Sequence, residues 1–262
     1  QPGLRYGGAA AVIDYIVRRR ESGGNVSADL TNTISPLGFG NYNLSGKYHR
    51  GKSSFSALMQ WSRRDLEWNR ENEETFYYPD KVITNRETVA APNRIKYDYL
   101  NTSLNYNYTN GEKSMLNIAF RTDVKDIPYG FTDRNTILHQ EDKEYEVKDR
   151  EQSETHIPSL DVYYQLNLKN NQHLYFDMVG TYLKSNHQRT YSMTEVGLSP
   201  VEIFSKTEGD KYSLIGEAIY ERPLWKGKFT TGMKHNQATM DNVYDGEAQT
   251  KVSMNTAETS FF

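Results

Sequence analysis

No cysteine occurs in the chain, so neither a disulfide framework nor a thiolate metal site is open to it. Histidine is scarce. His49, His139, His156, His173, His187 and His235 show no metal-ligand spacing. Long hydrophobic runs are missing too. A membrane-crossing helix needs about 20 continuous apolar residues, and the richest stretch, residues 9–13, falls far short. Hydrophobic residues make up 36% of the 262, and mean hydropathy is -0.81. The net charge of -3 leaves no basic footprint for nucleic acid. No signal peptide is legible. The expectation is that it was removed or that the chain begins inside a longer protein.

What the chain has is aromatic side chains and alternation. There are 20 Tyr, 10 Phe and 3 Trp. Aromatics favour strands and gather at membrane interfaces, where an apolar ring ends in a polar tip. In residues 101–108, Thr102, Leu104, Tyr106 and Tyr108 alternate with Asn101, Ser103, Asn105 and Asn107. Period two is the mark of a strand with two unlike faces. The same period runs through residues 159–168, 116–124, 55–61 and 42–48, and more weakly through 26–30, 174–182, 212–220 and 229–233. A tenth strand is expected to begin near Val252. One face then carries Leu and Tyr, and the other is wholly polar.

The connections sort by length. Short turns are expected at Arg50-Gly51-Lys52, Asn110-Gly111-Glu112, Lys169-Asn170-Asn171 and Trp225-Lys226-Gly227, each with the Gly or Asn that a tight turn demands. Between them lie long charged stretches, residues 63–96, 126–155, 186–211 and 241–250. A first, shorter connection spans residues 35–40. Transmembrane β-barrels alternate short turns on one side with long loops on the other, whereas a soluble sandwich has no reason to sort its loops by parity. A barrel also explains the low hydropathy, because only every second strand residue faces lipid. The expected fold is all-β: an antiparallel up-and-down transmembrane β-barrel, present as an open arc of strands.

Residues 4–20 differ from the rest. The run Leu4-Arg5-Tyr6-Gly7-Gly8, followed by Ala9-Ala10-Ala11-Val12-Ile13-Asp14-Tyr15-Ile16-Val17 and Arg18-Arg19-Arg20, resembles the end of the plug domain in TonB-dependent outer-membrane receptors of the Bacteroidetes type. Asp14 stands where the family pattern has Asn, and Val17 where it has Thr. Glu21-Ser22-Gly23-Gly24 resembles the link from plug to barrel. The resemblance implies that residues 1–23 end a plug domain and that 24–262 form the first ten or so strands of a barrel of about 22, the plugged class. It places most of the plug and the energy-coupling segment upstream. The ending Ser260-Phe261-Phe262 matches the terminal Phe of outer-membrane proteins only by coincidence, since the family pattern places Thr259-Ser260-Phe261 inside a continuing strand.

By that resemblance the intact protein is a receptor in the outer membrane of a Gram-negative bacterium. It takes up a scarce nutrient: a siderophore, cobalamin, a glycan or a peptide. Its implied partners are outer-membrane lipid, an inner-membrane TonB-type coupling protein, the nutrient itself and a surface lipoprotein. An outer-membrane adhesin or scaffold built on the same barrel is the alternative. No nucleophile–base–orienter grouping stands out, so no enzyme, cofactor or metal is expected. The acidic clusters Glu71, Glu73, Glu74 and Glu141, Asp142, Glu144 read as solvated loop faces. The loop aromatics Trp68, Tyr77, Tyr78, Tyr129 and Phe131 are the candidate ligand contacts. Asn105, Asn107, Arg121, Asp123, Asp161 and Gln165 are expected on the lumen wall, with Arg18, Arg19 and Arg20 paired to barrel carboxylates.

Overall fold

The computed structural model describes residues 21–33, 40–68, 72–78, 81–90, 93–130, 133–140 and 143–262. These residues form strands and turns, with no helix among them. In chain order the strands are β1 (Ser22–Asn32), β2 (Gly40–Arg50), β3 (Ser53–Trp68), β4 (Asn72–Tyr78), β5 (Lys81–Ala90), β6 (Asn93–Thr109) and β7 (Ser114–Tyr129). They continue as β8 (Arg134–Gln140), β9 (Lys143–Leu168), β10 (Gln172–Glu195), β11 (Glu202–Leu224), β12 (Gly227–Asp245) and β13 (Thr250–Phe261). The first strand therefore takes in Ser22-Gly23-Gly24, part of the stretch that resembles a link.

All thirteen strands belong to one antiparallel sheet. Its main path runs β1-β2-β3-β6-β7-β9-β10-β11-β12-β13, ten strands in sequential order, each holding one of the alternating segments. The arc is open: among the described residues β1 pairs only with β2, and β13 only with β12. β4, β5 and β8 lie off the path. β4 pairs with β5, β5 with β8, and β8 with the first residues of β9. They make an annex at the long-loop end. The long connections are thus mostly extensions of the strands, which residues 188–193 foreshadow by their β character.

All four short turns fall where the residues place them. Gly51 and Gly111 both have φ of 55°, a left-handed conformation that glycine adopts without steric cost. Asn170 and Asn171 have φ of 60° and 53°, within the reach of Asn. The fourth turn puts Trp225 at φ 52°.

Directly opposed residues can be followed across the sheet. One row is Ser53, Tyr108, Leu116, Tyr164, Phe176, Ala218 and Met233. It abuts the Gly51 turn, yet lies about four residues from the turn at Gly111, six from Asn170 and seven from Trp225. The turns fall away from the row by about one residue per strand. With a rise of about 3.3 Å per residue and strands about 4.8 Å apart, turns on a common level imply a strand tilt of about 35°. Barrel strands tilt by about 35–45°.

One packed layer gives little interior. Among the described residues the buried hydrophobic side chains are Ile95, Ala119, Leu138 and Val147. A soluble sandwich of this length buries an entire sheet face, and the described residues hold no second sheet to do so.

Candidate functional site: an apolar band and a polar wall

Alternation along each strand and the observed registers collect two faces. On the first, Val26, Gly46, Ala57, Leu104, Phe120, Leu160, Gly180 and Leu214 form one continuous row. The next row toward the turns holds Tyr48, Phe55, Tyr106, Ile118, Val162 and Met178. This face carries no covering layer. Leu104 is 47% exposed, Phe120 37% and Leu160 39%. An uncovered apolar row running across eight strands is unlike the scattered apolar residues usual on a soluble monomer.

Aromatics bracket the band at both edges. Toward the long-loop end, Tyr42 stacks on Trp61 at 5.0 Å and Tyr182 on Tyr212 at 4.6 Å. Toward the turns, Phe55 meets Tyr106 at 4.8 Å and Tyr164 meets Phe176 at 6.4 Å. The polar tips of Trp61, Tyr182, Tyr42, Tyr220 and Tyr106 point away from the band. At the long-loop edge Trp61 Nε1 donates to Asp98 at 3.0 Å, Tyr182 Oη to Asp210 at 2.7 Å and Tyr42 Oη to Asn32 at 3.1 Å. Each acceptor lies one row further from the turns. At the turn edge Tyr220 Oη donates to Gln172 at 2.6 Å, and Tyr106 Oη lies 3.1 Å from Ser53 Oγ. Both partners lie one row nearer the turns. Rings inward and hydroxyls outward is the orientation that two water–lipid interfaces impose.

The opposite face is largely polar. Asn105, Asn107, Arg121, Asp123, Asp161 and Gln165 all lie on it, carried by adjacent strands β6, β7 and β9. Asn105 Nδ2 donates to Ser103 Oγ at 3.1 Å. Asn101 donates to Asp123, and Asn117 to Asn107. Tyr163 Oη donates to Gln165 at 3.2 Å, and Gln165 Nε2 donates to Asn167 at 2.9 Å. These side chains therefore form a hydrogen-bonded ladder. The face is not wholly polar, however. Leu58, Ile157, Val179, Ile215 and Ile219 share it, and isolated apolar side chains on a polar surface are ordinary. A hollow of about 840 Å³ on this face is lined by Asp29, Asn43, Gln60, Tyr99, Asp123 and Lys125, among others. Lys125 Nζ sits 5.6 Å from the centre of the Tyr99 ring. The alternation in β2 and β3 carries the signal for Asn43 and Gln60. Nothing local marks Tyr99 or Lys125, which meet only through the β6–β7 register.

Of the loop aromatics, Tyr129 ends β7 and is half-buried. A register shift between Lys96 and Asp98 turns it onto the same side as the apolar band, beyond its long-loop edge. There the Arg94 and Arg150 guanidinium groups lie 5.3 Å and 4.6 Å from its ring centre, and Arg94 pairs with Asp65 through both oxygens at 2.7 and 2.8 Å. That hydrogen-bonded guanidinium holds the Asp65 carboxyl below its ordinary range. Nearby, burial pushes the Asp133 carboxyl up, although it accepts the Glu151 N–H at 2.7 Å. Trp68 ends β3, and Tyr77 and Tyr78 end β4; their side chains lie outside the described residues, as do Phe131 and the arginines 18–20. Tyr129 and the polar-wall residues are thus not brought together.

Among the described residues no group of three or more His, Asp or Glu is placed to hold a metal ion. Comparison with protein-family models, curated proteins and solved structures finds no match for this chain.

Proposed function

We propose that these strands are part of the wall of an outer-membrane β-barrel, and that the intact protein is a TonB-dependent receptor that takes up a scarce nutrient. The observation that carries the membrane reading is the divergence of the aromatic tips: Trp61, Tyr42 and Tyr182 toward one edge, Tyr220 and Tyr106 toward the other. The tilt implied by the registers and the sorting of turns from long connections support it. A closed barrel satisfies every strand hydrogen bond inside lipid, so the free edges of β1 and β13 call for further strands. The receptor reading rests on the resemblance of residues 4–20 to a plug terminus. Its lumen wall is the polar face, where carboxylates such as Asp123 and Asp161 would meet Arg18, Arg19 and Arg20. A TonB-type protein energises it from the inner membrane.

A scaffold reading is favoured by one feature. The β10–β11 connection exposes Val196, Leu198 and Val201 at 59%, 66% and 70%, far beyond the band, a surface suited to a protein partner such as a lipoprotein. Uptake separates the two. Cells lacking the gene, and wild-type cells treated with a proton uncoupler, are given labelled ferric siderophore, cobalamin, malto-oligosaccharide and peptide. The receptor reading expects one cargo to be lost in both. Unchanged uptake of all four in the deletion strain, with a second protein co-purifying on the long loops, contradicts it in favour of the scaffold.

A further inference from the structure

Trp225 is the residue of the sheet least at home. It occupies the first position of the two-residue turn between Leu224 and Gly227, with φ of 52°. That conformation suits glycine, and for a bulky side chain it is an outlier. The other short turns fill their left-handed positions with Gly51, Gly111, Asn170 and Asn171. Trp225 is also 96% exposed, so no packing within the chain offsets the strain. Its neighbours add a second observation. Arg222 lies on the apolar face two residues before Leu224, where Tyr220 and Phe229 close the band. The turn end carries more basic than acidic residues: Arg50, Lys52, Lys113, Lys169, Arg222 and Lys226 lie at or beside the four turns, against Glu21, Glu112 and Glu221, the last paired with Lys228. Toward the long-loop end the apolar face closes on a mixed row, Asp98, Asp126, Asp210 and Asp241 with Arg63 opposite Asp98 and Lys184 opposite Asp210.

We infer that the turn end of the sheet docks on the headgroups of an anionic phospholipid leaflet, with Trp225 as its interfacial anchor. An indole seated among headgroups buries its ring and keeps its N–H wet. An arginine at the edge of the band extends its guanidinium to lipid phosphate while its stem stays in the apolar zone. Clustered basic residues close to an anionic surface add attraction that a neutral surface does not supply. The strained turn is then stabilised by the leaflet and not by the protein. This inference rests on the membrane reading above.

The test uses the whole protein in vesicles, with every tryptophan but Trp225 replaced by phenylalanine, and a companion protein keeping only Trp61. Vesicles are phosphatidylcholine alone or with phosphatidylglycerol, each carrying chains brominated close to the headgroup. The expected result is a blue-shifted Trp225 emission, lost to the brominated lipid and insensitive to aqueous iodide. The shift is larger with phosphatidylglycerol, and Arg222→Gln with Lys226→Gln abolishes that difference. In otherwise wild-type protein, Trp225→Gly removes the same component of emission, which covers a failure of the single-tryptophan protein to fold. If Trp225 stays red-shifted and open to iodide while Trp61 is quenched by the lipid, the anchor is refuted and the membrane reading stands. Shielding from iodide without quenching by lipid assigns Trp225 to a protein contact and also refutes it. Equal behaviour in both lipids refutes the anionic preference. If neither tryptophan meets lipid, the membrane reading itself falls.

Discussion

Asp65 illustrates how far a single residue can be read. Both of its oxygens accept from Arg94, and its pKa lies below the ordinary value because of that hydrogen bond and the charge behind it. A carboxylate with a depressed folded pKa contributes stability above its unfolded pKa and loses it as pH falls through the folded one. The window is therefore acidic, below the usual carboxylate range, and neutral pH leaves the pair intact. Arg94→Gln is expected to return the Asp65 titration toward the ordinary range, read by carboxyl NMR in the folded protein. An unmoved titration would mean that the guanidinium is not its cause. The pair is partly exposed, so it serves to align β3 with β6 more than to hold them. Asp65 and Arg94 were invisible as partners in the sequence, since 29 residues separate them and neither sits in an alternating run.

β9 shows what an element reveals. Its 26 residues are about two and a half times what a bilayer demands of a tilted strand, about 9–11. The turn-side part alternates cleanly: Leu160, Val162, Tyr164 and Leu166 against Ser159, Asp161, Tyr163 and Gln165. Leu160→Arg is expected to destabilise the folded protein in lipid by about 2–4 kcal/mol, whereas Ser159→Arg, one residue away, costs little. Denaturant titration in vesicles reads both; equal effects would contradict two unlike faces. This half was legible because its two faces are unlike, one apolar and one polar, and that contrast is written at period two. Residues 143–155 were not legible as strand, because polar and charged residues fall on both faces there and no contrast marks the period. The same absence hid β5 and β8. The side on which Tyr129 lies was not legible for a different reason: the register shift beside Lys96 reverses sidedness, and a bulge leaves no mark in alternation. The polar-wall residues were legible because their alternation is unbroken from the turns upward, while the hollow they border depends on pairings between strands.

At the scale of the molecule, one sheet with two surfaces has to be reconciled with water. In a sandwich the apolar face would be closed by another layer, yet Leu104, Phe120 and Leu160 lie open. In lipid the same openness is favourable, and the aromatic edges, the tilt of about 35° implied by the one-residue stagger and the unlike lengths of the connections follow from it. The measurement that tests this most directly is a spin-label scan along residues 157–168 of β9 in the whole protein, reconstituted in vesicles. Collision with oxygen and with a water-soluble nickel chelate is recorded at each site. The account predicts that oxygen dominates at residues 158, 160, 162, 164 and 166 and the nickel chelate at 159, 161, 163 and 165, in strict alternation. Uniform access to the nickel chelate along the strand, or low access to both reagents at the even positions, would contradict a lipid-facing wall.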